Sequence, residues 1–450
     1  MSDQDGRSFQ EGPKGKLFTG NLKDFRADPL RFLRELAGYG DAVKIRFGPT
    51  ESVCLLSDPE MIKQVLVTKQ KSFIKARDMR SLKTILGEGL LTSEKDLHMR
   101  QRRLIQPAFK KTHIASYGQD MIDVTKEYIT RWHDGEERVI TQDMMDITLG
   151  IISKTMFSVD FQDGHKVLGK PLETAMRVSS SRMRSLFTPP LWVPTKTNRK
   201  YKKAIKELDD TLYRIIEERR KDTRKHEDML TILLDAKDEE DGTGMSDKQV
   251  RDELMTIFLA GHETTANALS WTFHLLSQNP EAEQKLFEEL DRVLDGREPD
   301  PGDFTKLTYA QNVIWESMRI YPPGFIVGRE AIEDVEIGGL QFKKGDSIMM
   351  SQWVLHNKPE YFPEPDVFRP ERFENNFIKT IPAYAYFPFS GGPRVCIGNH
   401  FALMEAVLVL AVIASKYRLR PADETTVVPY PSITLRPKGG LRMVIEKREK

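Results

Sequence analysis

The sequence predicts a mostly α fold with a minor β portion (α+β). Three observations lead there. Helical periodicity dominates from about Pro59 to Gln278, strict alternation is confined to short stretches, and turns rich in Pro and Gly punctuate the chain after Tyr321. The first β portion, about residues 40–57, holds Val43, Ile45 and Phe47, a Gly48-Pro49 turn, then Val53 and Leu55, the pattern of a hairpin. Charged amphipathic helices follow, "YKKAIKELDDTLYRIIEERRKD" among them, and read as solvated faces over a core. Residues 325–350 return to short strands. "FALMEAVLVLAVIASKY", interrupted by Glu405, reads as a core helix, and a hairpin at about 430–446 closes the chain.

Composition narrows the function. With 450 residues the chain exceeds the usual single-domain length, and its 39% hydrophobic and 30% charged residues describe an ordinary globular protein. Lys plus Arg (68) balances Asp plus Glu (67), so no global charge argues for nucleic acid. Two cysteines, Cys54 and Cys396, rule out a disulfide framework and a four-cysteine metal site. Cys54 sits in an apparent strand and reads as structural. The first twenty residues contain no apolar run, so neither a signal peptide nor an anchor is expected among them, and a cytoplasmic location is the default.

A capping box at Ser246 ("SDKQ") opens a helix that runs to Asn279-Pro280, about 48 Å at 1.5 Å per residue. Its centre, "AGHETTANALS", breaks helix rules with Gly261 and two consecutive threonines. "HETTA" begins like a zinc motif, but position 266 is Ala and the second ligand is missing. Two readings remain even. Either Gly261 leaves room for a ligand and Glu263 with Thr264 relays protons, or Thr264 bonds back to a carbonyl and Glu263 is solvated.

Weaker signals lie elsewhere. "ESMR" sets Glu316 and Arg319 on one helical face, and "FRPERF" supplies Arg372; together they would form one buried network. "HMRQRRLIQPAF" carries His98 and Arg102 four residues apart on one face, either a solvated basic helix or an anion clamp.

The stretch Phe389–Gly398, "FSGGPRVCIG", matches without a miss the Phe-x-x-Gly-x-Arg-x-Cys-x-Gly signature of the cytochrome P-450 haem-thiolate proteins. "AGHETT", "ESMR" and "FRPERF" resemble that family's other motifs, in its order, through nearly the whole chain. The resemblance implies a single haem domain over residues 1–450, with a long central helix over the haem and small antiparallel sheets. It implies that Cys396 is the iron ligand of haem b. It assigns Phe389 to shielding the sulfur, Gly392 and Gly398 to close approach of the backbone, and Arg394, Arg102, His98 and Arg329 to the propionates. Many relatives carry Trp where this chain has His98. The dipole of the following helix would lower the thiol's pKa, and thiolate ligation promotes O–O cleavage.

By the same resemblance the chain is a monooxygenase, with Glu263 and Thr264 relaying protons. It would take O2, an apolar substrate such as a fatty acid, terpenoid or steroid, and electrons from a ferredoxin or flavodoxin with its reductase. A monomer with no nucleic acid and no membrane span is expected. Arg100, Arg103, Lys110 and Lys111 would either dock the acidic donor or serve solubility. Pocket segments map to Phe73–Leu91, Met183–Trp192, Ile257–Gly261, Gly324–Val327 and Tyr430–Leu435. A peroxide-using peroxygenase or isomerase is the alternative, although such relatives typically lack the acid–alcohol pair. A non-catalytic haem sensor is a third reading.

Overall fold

A computed structural model describes residues 8–449 except 50, 159–167, 185–188, 225, 227 and 241. Residues 185–188 of the segment Met183–Trp192 therefore lie outside the described residues. The chain divides into two compact units.

One unit contains the chain through Arg80, Trp315–Cys396 and Ile433–Leu435. Its sheet holds β1 (Gln10–Glu11), β2 (Ala42–Phe47), β3 (Glu51–Leu56), β4 (Phe73–Lys75), β5 (Val327–Ala331) and β6 (Ser347–Met350), in the order β1-β2-β3-β6-β5-β4. The expected hairpin is β2–β3, with Val43 opposite Leu55 and Ile45 opposite Val53. β3 also pairs in parallel with β6, so Val53, Cys54, Leu55 and Leu56 are all buried and the alternation seen in β2 is lost. The helix Pro29–Ala37 starts where Asp28 accepts the Arg31 N–H at 3.1 Å and Pro29 takes the first helical position. Its Leu33 and Leu36 join Leu55, Ile62, Phe342 and Ile348 in the core.

The other unit is mainly helical. It contains α1 (Lys95–Ile105), α2 (Lys111–Ile129), α3 (Ile140–Phe157), α4 (Lys196–Lys221), α5 (Asp247–Gln278) and α6 (Asn399–Ala414). The Ser246 capping box forms as read, with Ser246 and Gln249 each satisfying the other's backbone N–H. α5 packs along α3, and α6 along α2. From Met404 to Ala414 every residue of α6 is buried, as a core helix requires. Burial pushes the Glu405 carboxyl well above the carboxylate range, beside Thr265 of α5. The last strand, Arg442–Lys447, departs from the expected terminal hairpin. It lies antiparallel between Tyr417–Pro421 and Glu137–Val139, partners that are distant in sequence and invisible to a local pattern. No described helix is long and apolar enough to cross a membrane.

Candidate active site

The cysteine loop is built by the unit that carries it. The Cys396 N–H donates to the Phe389 carbonyl at 2.9 Å, and the Val395 N–H to the Gly392 carbonyl at 3.0 Å. Phe389 meets Trp315 edge to face at 5.9 Å. Gly392 has φ +63°, and a Cβ there would stand 1.9 Å from the Leu66 carbonyl oxygen. Its lack of a side chain thus answers first to the protein's own packing, not to approach of the backbone to a sulfur or a ring. The Cys396 side chain is exposed.

Beneath this loop lies a buried charge network. Arg319 gives a fork of two hydrogen bonds to Glu316, at 2.7 and 2.8 Å, and both side chains are fully buried. Arg372 reaches Glu316 at 3.4 Å and the Pro363 carbonyl at 2.8 Å. "ESMR" and "FRPERF", each weak alone, therefore join as expected. Sequence reasoning missed His356, whose carbonyl accepts from Arg319 while its Nε2 accepts the Phe387 N–H at 3.0 Å. Burial next to Arg319 pulls its pKa down to about 3, so the ring is a neutral acceptor that ties the network to the chain entering the cysteine loop. A lone histidine before a proline turn ("LHNKPEYF") was the signal available. Arg329 lies on β5, buried, and donates to the Gly328 carbonyl at 2.9 Å. Arg394 is half-buried in the cysteine loop.

In the other unit, α5 is buried from Val250 to Leu259 and again from Thr265 to Phe273. Between them Ala260, Gly261, Glu263 and Thr264 are accessible. The Thr264 hydroxyl donates to the Ala260 carbonyl at 2.6 Å, which realises the back-bonded alternative and leaves the oxygen's lone pairs to accept. The reading of Gly261 is corrected: a Cβ would stand 2.6 Å from Ile152 Cδ1, so the missing side chain makes room for α3 and not for a ligand. Thr148 of α3 donates to the His262 carbonyl at 3.0 Å, and His262 Nδ1 pairs with the Phe258 carbonyl at 2.6 Å.

On α1, His98 is buried with Nδ1 3.2 Å from the Leu90 carbonyl, and Arg102 is half-buried. The turn carrying Leu90 is clamped to α5. Asp252 accepts the Glu88 N–H at 3.0 Å and Glu253 accepts the Leu90 N–H at 2.8 Å. Arg100 and Arg103, read as docking or solubility cations, both have partners within their own unit. Arg100 donates to Thr243 Oγ1 at 2.7 Å, and Arg103 pairs with Asp238 at 3.2 Å and Glu240 at 3.1 Å. Those guanidiniums brace the loop before α5, while Lys110 and Lys111 stay exposed.

The family model for cytochrome P450 matches residues 11–442. The chain belongs to the cytochrome P450 family. Cyclooctatin synthase of Streptomyces melanosporofaciens is 36% identical over 443 residues, covering 97% of this chain and 95% of that protein. Cyclooctat-9-en-7-ol 5-monooxygenase of the same organism is 37% identical, covering 88% of this chain and 86% of that protein. Pentalenene oxygenase of Streptomyces avermitilis is 34% identical, covering 93% of both. The protein is accordingly a P450 monooxygenase with haem b as its cofactor.

The residues present fit that group. A soft sulfur donor is held out on a braced loop. At Gly398, the N-cap of α6, φ is −91° and a Cβ would touch only Phe109, at an ordinary 3.5 Å. Unlike Gly392, this glycine is not demanded by the chain's own packing, which suits a cradle for a large planar group.

Proposed function

We propose that this P450 hydroxylates a terpenoid hydrocarbon or a sparingly oxygenated terpenoid, with Cys396 as the haem ligand. The observation that carries the site assignment is the cysteine loop, which offers its thiol outward from a framework of backbone bonds. The terpenoid class rests on the names of the relatives, one naming cyclooctatin, one cyclooctat-9-en-7-ol and one pentalenene.

When bound, the haem supplies O2 activation by two electrons delivered singly, one oxygen atom going to the substrate and the other to water. With the haem bound, the Cys396 thiolate would push electron density toward the iron, and Phe389, held by Trp315, would shield the sulfur from water. Arg102, Arg329, Arg394 and His98 would hold the two propionates. Thr264, its hydroxyl donating to the Ala260 carbonyl, accepts a hydrogen bond at the reacting centre, and Glu263 beside it passes protons inward. The acid–alcohol pair favours O2 chemistry over direct use of peroxide. Arg100 and Arg103 are paired within the fold, but Arg103 stays exposed, so Arg103, Lys110 and Lys111 are the cations of this group that would meet a ferredoxin-type or flavodoxin-type donor.

The test is a spectral titration of the holoenzyme with cyclic terpenes, fatty acids and steroids, followed by turnover under labelled O2 with a ferredoxin and its reductase. A terpene that shifts the haem spectrum and gains one labelled oxygen is the expected result. Shifts and products confined to fatty acids or steroids would overturn the substrate class.

A further inference from the structure

Helix α4 begins against the rules of helix electrostatics. Its first turn contains no acid, and Lys196, Arg199, Lys200 and Lys202 crowd the end where the dipole is already positive. All four are exposed, opposite the buried Asn198, Tyr201 and Ala204, and among the described residues none of the four forms an ion pair. Further along the same helix the pattern changes. Lys203 pairs with Glu207, Lys206 with Asp210 and Lys221 with Glu217, while Arg220 pairs with Asp247. Of the cations further along, only Arg214 forms no ion pair among the described residues, so uncompensated charge is concentrated in the first two turns.

A second feature adjoins it. Trp192, four residues before the helix, is 78% exposed, the large side chain a protein ordinarily hides. Its exposure is built and not frayed. Asn198 donates to the Pro190 and Val193 carbonyls, both at 2.9 Å, and Arg182 donates to the Pro189 carbonyl at 3.0 Å. The turn that presents Trp192 is therefore fastened to the start of α4 at two carbonyls and to the preceding helix, Lys170–Arg184, at a third.

We propose that this face, Trp192 with Lys196, Arg199, Lys200 and Lys202, docks the enzyme on an anionic lipid surface. The cations match acidic headgroups, and an indole settles at the boundary between headgroups and acyl chains. Four unpaired cations beside a fixed, outward tryptophan suit a bilayer better than an acidic protein, which would need acceptors but no apolar anchor. The association is peripheral and reversible, and it sets the enzyme where apolar molecules collect.

The experiment is sedimentation of the full-length holoenzyme with vesicles of phosphatidylcholine, with and without about three parts in ten of phosphatidylserine, at low and high salt. Binding to the anionic vesicles alone, released by salt, is expected. Each cation is worth roughly fivefold near such a surface, so replacing all four by Gln weakens binding by roughly 600-fold. Trp192→Ser weakens it about tenfold. Misfolding does not cloud the result, because removing cations from a helix N-terminus leaves the melting temperature level or raised. Equal binding to neutral vesicles, no binding at all, or binding unchanged in the four-Gln variant each overturns the proposal. Loss of affinity for an acidic ferredoxin without any vesicle binding would overturn it in favour of a protein partner.

Discussion

The two cysteines of this chain lie in the same unit and have opposite fates. Cys54 sits in β3 between Val53 and Leu55, 2% exposed, and burial pushes its thiol up to about 12. Cys396 stands on an irregular loop with its side chain exposed. The residue type is identical, and the backbone decides the difference. A strand paired on both sides seals a side chain into the sheet. A loop closed by its own backbone bonds leaves one exposed.

The largest break of this contrast is Cys396→Ala. The reduced, carbon-monoxide-bound protein should lose the red-shifted Soret band of thiolate ligation, and monooxygenase turnover should fall below detection. A variant that kept the band would remove Cys396 from the iron.

Next comes the network under the loop. Arg319→Ala leaves Glu316 and the His356 carbonyl without their buried donor and should cost about 3–5 kcal/mol in urea unfolding, with haem lost on dialysis. A cost near zero would mean that the network does not support the loop.

On the long helix, Thr264→Ala deletes the one hydroxyl assigned to accept at the reacting centre. Product formed per O2 consumed should fall by roughly 10²-fold, the lower range for a lost proton-relay group, while the thiolate band stays. Unchanged coupling would restore the purely structural reading, in which the hydroxyl serves only Ala260.

The two loop glycines sharpen the comparison further. Gly392→Ala forces a Cβ against the Leu66 carbonyl at φ +63° and should cost about 1–3 kcal/mol even in haem-free protein. Gly398→Ala meets no such contact. It should leave the haem-free protein within about 0.5 kcal/mol of the parent and show itself only as faster haem loss. Equal destabilisation of the haem-free forms would erase the distinction drawn here.

What the sequence revealed follows the same division between local and distant causes. The capping box at Ser246, the β2–β3 hairpin and the pairing of Glu316 with Arg319 depend on residues a few positions apart, and each was legible. Gly261 was misread because its reason is Ile152 on another helix, and Gly392 because its reason is Leu66. Arg100 and Arg103 read as unpaired surface cations because Asp238 and Thr243, which pair with them, lie more than a hundred residues away. The family signature singled out Cys396, yet it said nothing of His356, which accepts from the chain leading into the loop.

The smallest expected effect on the haem site belongs to the other cysteine. Cys54→Ala removes one sulfur from a sealed strand, and about 1 kcal/mol of stability should go with it. The Soret band and turnover should not move. The thiol's reactivity gives a sharper reading. With its pKa pushed up to about 12, only about one molecule in 10⁴ carries the thiolate at pH 8, so iodoacetamide should leave Cys54 unlabelled until the protein unfolds. Native labelling of Cys54 at the rate of an exposed thiol would show that β3 opens readily. The sealed-against-offered distinction between the two cysteines would then be one of dynamics, and not of the static backbone.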